Sequence, residues 1–333
     1  MGVTIKEIAK LAGVSPSTVS RALTDAHYVD LETAERVKTI AKQLGYRPNA
    51  LARGLVQRKS MAIGLIIPEI ENPFYSEIVS GVERIATQRG YGVVVISGHS
   101  ANGEQEVRAL LGRQVDGIIH AGVYRTDTAL PNLRAEGVPV VLLGRKLPGF
   151  MSDCVVANDR DASVQLTTYL IQLGHTRIAY IFGKNVSSGS TEKLAGYKEA
   201  LEAAGIPVHP ELVEHGDLEF HGGHRAAQKL LALNPPPTAI LAGNDFMALG
   251  AREAILEAGL RIPEDISLAG FDDILFSSMK GIELTTAAVP RSKMGQLGAE
   301  LLIKKIEQPD AEQIEQIILE ARIVRRNSCG PAR

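Results

Sequence analysis

The chain has 333 residues, a formal net charge of −2 and an apolar fraction of 45%. That length predicts about two or three domains with a real core, and no apolar run reaches the length of a membrane span. No signal peptide is expected, because the N-terminus reads as a helical unit. Cys154 and Cys329 are far apart and lack metal-ligand spacing, so unpaired thiols in a reducing cytoplasm are expected, with no metal or other cofactor.

The first elements are two short helices. Thr4 caps the first, and Glu7 completes a capping box. Ile5, Ile8, Ala9 and Ala12 share one face. Gly13 permits a tight turn, Ser15 caps the second helix, and Pro16 stands at its first position, where a missing N–H costs nothing. Val14, Val19 and Leu23 are expected to point inward. Ser17, Thr18, Ser20 and Arg21 are left outside, a set suited to phosphate oxygens and base edges. An ordinary helical hairpin with solvated serines is the competing reading.

A third helix starts at Asp30, with Leu31, Ala34, Val37, Ile40, Ala41 and Leu44 as its apolar stripe and Gly45 as its stop. The segment Arg47–Lys59 follows. Pro48 interrupts the chain, Asn49 can cap, and Leu51, Leu55 and Val56 dot a basic stretch too short to be a stable helix alone. A helix that forms only on a partner would look like this. Residues 1–60 carry ten basic side chains against five acidic ones, a net +5 that leaves −7 on the rest. A basic head on an acidic body is the footprint of a nucleic-acid module joined to a domain with a different role.

From residue 61 short apolar runs alternate with amphipathic stretches. The expected strands are 62–67, 92–97, 117–121, 138–143, 155–157, 178–182, 239–242 and 266–271. The expected helices are 74–89, 104–114, 162–174, 191–205, 223–233, 246–259 and 292–307. This pattern predicts parallel sheets covered on both faces. The body is too long for one sheet, so two α/β lobes with a cleft are expected, with ligand at the carboxyl ends of the strands. An NAD enzyme is the alternative class, yet Ile66–Pro73 lacks even one glycine, and no Walker loop or Ser/His/Asp motif is present. His99, His120, His175, His221 and His224 are expected as capping or core residues. A transport binding protein would share the core but carry an export signal in place of the head.

Taken together, Val3–Ser15, Thr18–Arg21, Leu44–Asn49, Asn72–Tyr75, Val115–Ile119, Gly174-His175, Gly196-Tyr197, Pro237–Ile240, Asn244-Asp245, Met247–Gly250 and Pro263–Asp273 resemble the LacI family of bacterial transcription regulators over essentially the full length. The resemblance implies a three-helix DNA-binding head (1–48) and a hinge helix with linker (49–60). It also implies a periplasmic-binding-protein-like type I core (61–333) of two parallel-sheet lobes, one about 61–160 plus 291–325 and the other about 161–290. It implies a cytoplasmic homodimer on a near-palindromic double-stranded operator, regulated by a small-molecule effector in the cleft and not an enzyme. Pro16, Ser17 and Arg21 would lie nearest the bases. Thr4, Ser15, Thr18, Ser20 and Asn49 would contact phosphates. Ala52 and Leu55 belong to the hinge, where Leu55 matches a leucine inserted in the minor groove.

For the effector, a sugar or sugar derivative, the matching positions are Phe74, Tyr75, Arg145, Lys193, Asn244 and Asp272. Lys193 stands where sugar-responsive members commonly carry arginine, and a lysine lacks the planar bidentate fork. Ser187–Ser190 reads as a small, flexible polar loop. Asn244 and Asp245 are equally readable as a helix cap, and Asp272 as a ligand carboxylate or a cap of the next turn. A second branch, the catabolite control proteins, uses a phosphorylated carrier protein as corepressor. There the docking helix opens with a tyrosine and an acidic residue and carries an arginine; here Ser292, Lys293 and Glu300 occupy those positions. The reversed charges disfavour that partner.

Overall fold

The computed structural model describes residues 3–23, 29–46, 60–98, 103–184, 187–309 and 313–333. The expected hinge residues Asn49, Ala52 and Leu55 lie outside these. The chain divides into two compact units, Met1–Ser60 and Met61–Arg333.

The first unit contains α1 (Ile5–Ala12), α2 (Pro16–Leu23) and α3 (Leu31–Gln43). Their starts are set locally. The Thr4 N–H donates to Glu7 Oε2 at 2.7 Å. The Ser15 hydroxyl accepts from Thr18 N at 3.1 Å, and Asp30 accepts from Thr33 N at 2.9 Å. Gly13 ends α1 at φ 67°, which favours glycine over any residue with a Cβ. Ile8, Ala9, Ala12, Val19, Ala22, Val37 and Ala41 form the core of this unit, with Val14, Leu23 and Ile40 half-buried against it. Leu31 departs from expectation: it is 86% exposed, because as the first residue of α3 it projects beyond the three-helix contact.

The second unit continues with β1 (Ala62–Ile67), α4 (Pro73–Gln88), β2 (Gly92–Ser97), α5 (Glu104–Leu111), β3 (Ile118–His120), α6 (Ala129–Ala135), β4 (Val140–Leu143), β5 (Asp153–Ala157) and α7 (Asp159–Gln172). Next come β6 (Ile178–Phe182), α8 (Ser188–Ala203), β7 (Val213–His215), α9 (Phe220–Leu231), β8 (Ala239–Ala242), α10 (Asp245–Glu257) and β9 (Ser267–Asp272). The chain closes with β10 (Thr285–Ala288), α11 (Arg291–Glu307), β11 (Gln316–Leu319) and β12 (Arg322–Val324). Among the described residues two six-stranded sheets result, ordered β11-β5-β4-β3-β1-β2 and β12-β10-β9-β8-β6-β7. The first is parallel throughout, and the second is parallel except for β12, which runs against β10. Strand alternation sorts the two faces of each sheet. Ile63, Leu65 and Ile67 of β1 face a core containing Ile78 and Val82 of α4, while Ile66 joins Leu110 and Leu130 on the other side.

Four strands were not legible in the sequence: β7, β10, β11 and β12. Strand β12 also corrects the expected lobe boundary. The expected boundary keeps the segment through residue 325 in the first lobe, but β12 pairs with β10 in the second. The chain therefore crosses between the lobes three times among the described residues, after β5, after β10 and after β11. Helix α11 returns to the first lobe and lies on α4 at backbone contact. A Cβ on Gly81 would fall 2.2 Å from Ser292 O, and one on Gly295 would fall 2.3 Å from Ile78 O. His175 ties the C-terminal segment to the second lobe, its ring nitrogens lying 2.9 Å from Thr238 Oγ1 and 3.0 Å from both Ser267 Oγ and Gly330 O. Burial lowers its pKa. Cys154 and Cys329 are both unpaired.

Candidate effector cleft and nucleic-acid interface

In the head, Thr4, Ser15, Pro16, Ser17, Ser20 and Arg21 are exposed and Thr18 is half-buried. Local geometry explains the difference: the Thr18 hydroxyl lies 2.9 Å from that of Ser15 at the start of α2. The outer face of α2 presents Ser17, Ser20 and Arg21 together, one turn apart.

In the core, an open-mouthed cavity lies at the strand ends between the lobes. Phe74, Tyr75, Arg145, Lys193, Asn244 and Asp272 all line it. Asn72 caps α4 through Phe74 N at 3.0 Å, which fixes Phe74 and Tyr75 at the mouth of the first lobe. Their rings meet edge to face with centroids 5.1 Å apart. Arg145 is buried and donates to Gly122 O at 3.0 Å and to the Tyr75 hydroxyl at 3.2 Å. Burial pushes the Tyr75 phenol well above its ordinary range, with the neighbouring guanidinium opposing.

From the second lobe Lys193 reaches across the cavity floor. Its Nζ lies 3.8 Å from Asp272 Oδ1 and 4.0 Å from Asp159 Oδ1, donates to Gly243 O at 3.1 Å, and sits 3.7 Å from the Phe271 ring centroid. Desolvation raises Asp272 to about 7 and Asp159 to about 6, in each case against the pull of Lys193. Neither carboxylate accepts a protein hydrogen bond among the described residues. Two cations already engaged by protein acceptors thus face two carboxylates with open lone pairs. That arrangement suits a neutral molecule rich in hydroxyl donors.

A profile described as "Periplasmic binding proteins and sugar binding domain of LacI family" matches residues 60–327, and one described as "Bacterial regulatory proteins, lacI family" matches residues 4–49. The chain belongs to the LacI family of bacterial transcriptional regulators. It is 36% identical over 316 residues to the ribose operon repressor of Escherichia coli (strain K12), covering 93% of this chain and 95% of that one. It is also 36% identical over 308 residues to catabolite control protein A of Priestia megaterium, covering 91% and 92%. Among solved structures it superposes on the Lac repressor dimer bound to operator and the anti-inducer ONPF with a TM-score of 0.88, at 30% identity over 98% of this chain and 99% of that chain.

Within this LacI-family core several readings change. Ser187–Ser190 is not a loop: Ser188 opens α8, and the Ser187 hydroxyl accepts from Ser190 N at 3.4 Å. Ser187 and Ser190 are buried in the cavity wall. Asn244 lines the cavity and caps α10 at once, accepting from Met247 N at 2.8 Å and donating to Leu218 O at 3.1 Å. Asp272 is the last residue of β9, and its carboxylate caps nothing among the described residues. The following turn is held instead by the neighbouring acid, Asp245, which accepts from Ile274 N at 3.0 Å and from the Ser277 and Thr286 hydroxyls at 2.6 Å each. The sequence reading missed Asp159. It lies two residues beyond the end of β5, so the rule that ligands gather at strand ends was available to find it. His224 pairs with Glu257 near the surface at 2.8 Å, and His99 lies outside the described residues. No helix among the described residues is long and apolar enough to cross a membrane.

Proposed function

We propose that this chain is a cytoplasmic, dimeric transcriptional repressor whose operator affinity is set by a neutral carbohydrate held between the core lobes. The proposed DNA contacts are Thr4, Ser15, Pro16, Ser17, Thr18, Ser20 and Arg21 in the head, with Asn49, Ala52 and Leu55 in the hinge. The proposed effector contacts are Phe74, Tyr75, Arg145, Lys193, Asn244 and Asp272, with Asp159 added. The observation that carries the effector class is charge balance in the cleft. With both carboxyls ionised, Arg145 and Lys193 are matched by Asp159 and Asp272, so a phosphate or uronate would bring a third buried negative charge that the described lining residues leave without a matching cation. Sugar hydroxyls donate to the two carboxylates, and the Phe74 ring supplies an apolar wall. The domain description of the matched family and the name of the ribose operon repressor support a sugar.

The relative with the catabolite control name motivates a second reading, a phosphorylated carrier protein docking on α11. That helix exposes Lys293 and Glu300, with Ser292 half-buried. The charge reversal at these positions works against it.

A thermal-shift screen tests the carbohydrate reading, because a ligand of the native state alone raises its melting temperature. Neutral pentoses and hexoses, their phosphates, uronates and nucleobases form the panel. A neutral sugar should raise the melting temperature and shift affinity for a palindromic operator duplex. Response confined to anionic compounds or nucleobases overturns the reading.

A further inference from the structure

Behind Arg145 lies a second buried polar cluster that the cleft itself does not use. His120, the last residue of β3, and Asp127, in the turn before α6, are 4% and 7% exposed. His120 Nδ1 accepts the Gly122 N–H at 3.2 Å. The carbonyl of the same Gly122 accepts from Arg145 Nη1 at 3.0 Å. On the other side of the imidazole, Nε2 is buried 3.4 Å from Asp127 Oδ2, within ion-pair distance but without a formed hydrogen bond. Asp127 Oδ1 is engaged separately, accepting from Ala129 N at 3.0 Å and Leu130 N at 3.3 Å at the start of α6.

The hydrogen-bond directions define a single state of the ring. A nitrogen that accepts from Gly122 carries no proton, so the proton is on Nε2, the nitrogen 3.4 Å from a carboxylate oxygen. The carboxylate is in turn fixed by its two backbone donors. The chain of contacts runs Asp127, His120, Gly122, Arg145. We propose that His120 and Asp127 are a positioning pair that fixes, through the Gly122 peptide, the direction in which Arg145 faces the cleft. Tyr124 contributes from the same side. The Asp127 N–H donates to Tyr124 O at 3.0 Å, and the Arg145 guanidinium carbon lies 4.9 Å from the Tyr124 ring centroid. The other titratable group lining this small cavity is Glu106 on α5.

Asp127→Asn separates this role from simple packing. Its amide oxygen must stay on the Ala129 and Leu130 donors, so its NH2 group takes the place of Oδ2. Two donors then face each other unless Nε2 gives up its proton. The proton moves to Nδ1, where it opposes the Gly122 N–H, and the Gly122 peptide has to turn away from Arg145. The variant keeps the size and the helix cap and inverts only the ring.

Full-length protein labelled with 15N-histidine and 15N-arginine, with no carbohydrate present, reads both steps by NMR. The wild type should show a pyrrole-type Nε2 and a pyridine-type Nδ1 at His120. In Asp127→Asn the pattern should invert and the Arg145 guanidinium resonances should move, while those of Arg291 stay. A protonated Nδ1 in the wild type overturns the proposal, and so does an inverted ring with unmoved Arg145 signals. Should Asp127→Asn fail to fold, Asp127→Ser keeps a capping oxygen and removes the acceptor; unmoved Arg145 signals there count against the pair equally. The value of this pair to ligand binding rests on the carbohydrate reading. A panel in which no sugar binds the wild type would sink that reading alone, because the spectra contain no sugar.

Discussion

Arg291, the first residue of α11 in the first lobe, holds the backbone of Asp272 at the end of β9 in the second. Its guanidinium donates to the carbonyl of Asp272 and, at 2.7 Å, to that of Asp273, while Nη2 also meets Glu77 of α4 at 2.6 Å. Asp272 has a φ of 118°, a region that residues with a Cβ rarely occupy. A buried, three-way arginine contact thus secures a cavity carboxylate whose backbone is strained.

Arg291→Met should therefore loosen Asp272 without emptying the cavity of any side chain that lines it. Leaving Glu77 and two carbonyls unpaired costs about 1–3 kcal/mol of fold stability. Sugar affinity should fall by roughly tenfold or more, since one misplaced hydrogen bond of about 1.4 kcal/mol is worth that factor. Calorimetry and thermal unfolding on the same preparation check both. Intact sugar affinity in a destabilised variant would confine Arg291 to a packing role.

The cleft carboxylates give stability a pH dependence of known sign. Burial raises Asp272 to about 7 and Asp159 to about 6, from 3.8 when unperturbed. Between these limits the folded chain binds more protons than the unfolded one, so these groups make stability fall as pH rises from about 4 to about 7. Asp272→Asn should flatten that fall, as read from melting temperatures across the interval. Sugar hydroxyls prefer an ionised acceptor, so binding should tighten over the same pH rise and release protons. Titration calorimetry in buffers of different ionisation heat detects the release; proton uptake would contradict the assignment.

Asp272→Ala should abolish the effector response and leave operator binding intact. Its carboxylate faces Lys193 and the cavity and caps no described backbone N–H, so its loss falls on the ligand. An electrophoretic mobility shift with and without the sugar found in the screen makes the comparison. A variant still released or tightened by that sugar would remove Asp272 from the site.

Arg21→Ala should weaken operator binding by about 1–3 kcal/mol if Arg21 reads a base. The side chain is exposed at the end of α2, outside the head core, so the melting temperature should hardly change. Normal affinity at physiological salt would take Arg21 out of the interface.

A single half-site should bind far more than tenfold more weakly than the full palindrome. Two heads on one dimer raise each other's local concentration, and one small head alone lacks that gain. Fluorescence anisotropy with matched half and full duplexes measures the ratio, and equal affinities would argue against a working dimer.

Much of the head and of the strand–helix alternation was readable because its causes are local. Thr4 with Glu7, Ser15 with Thr18 and Asp30 with Thr33 act within three residues. Strands β1, β2, β6 and β8 are short Val/Ile/Leu/Ala-rich runs, and the bounds read for them match. Strands β10, β11 and β12 escaped notice for the opposite reason. Thr285–Ala288 carries two threonines and two alanines, and Gln316–Leu319 is half-buried on one face and exposed on the other. Their strand character comes from neighbours more than a dozen residues away. The six resemblance-derived cleft positions do share one cavity, yet Asp159 is not among them and Ser187–Ser190 has the composition of a loop.

The sequence by itself determined that a basic helix-turn-helix head precedes an α/β body and that Ser17, Ser20 and Arg21 face out of its second helix, because caps, turns and periodicity operate over a few residues. Only the tertiary structure decided which acid does what in the core. Asp245 and Asp272 both flank strand ends, and no local signal separates them. Asp245 is enclosed by Ile274, Ser277 and Thr286 and serves the fold. Asp272 is left to Lys193 and the cavity because Arg291, brought from the other lobe, fixes its backbone. That difference is made by long-range packing, which places donors around one carboxylate and leaves the other open.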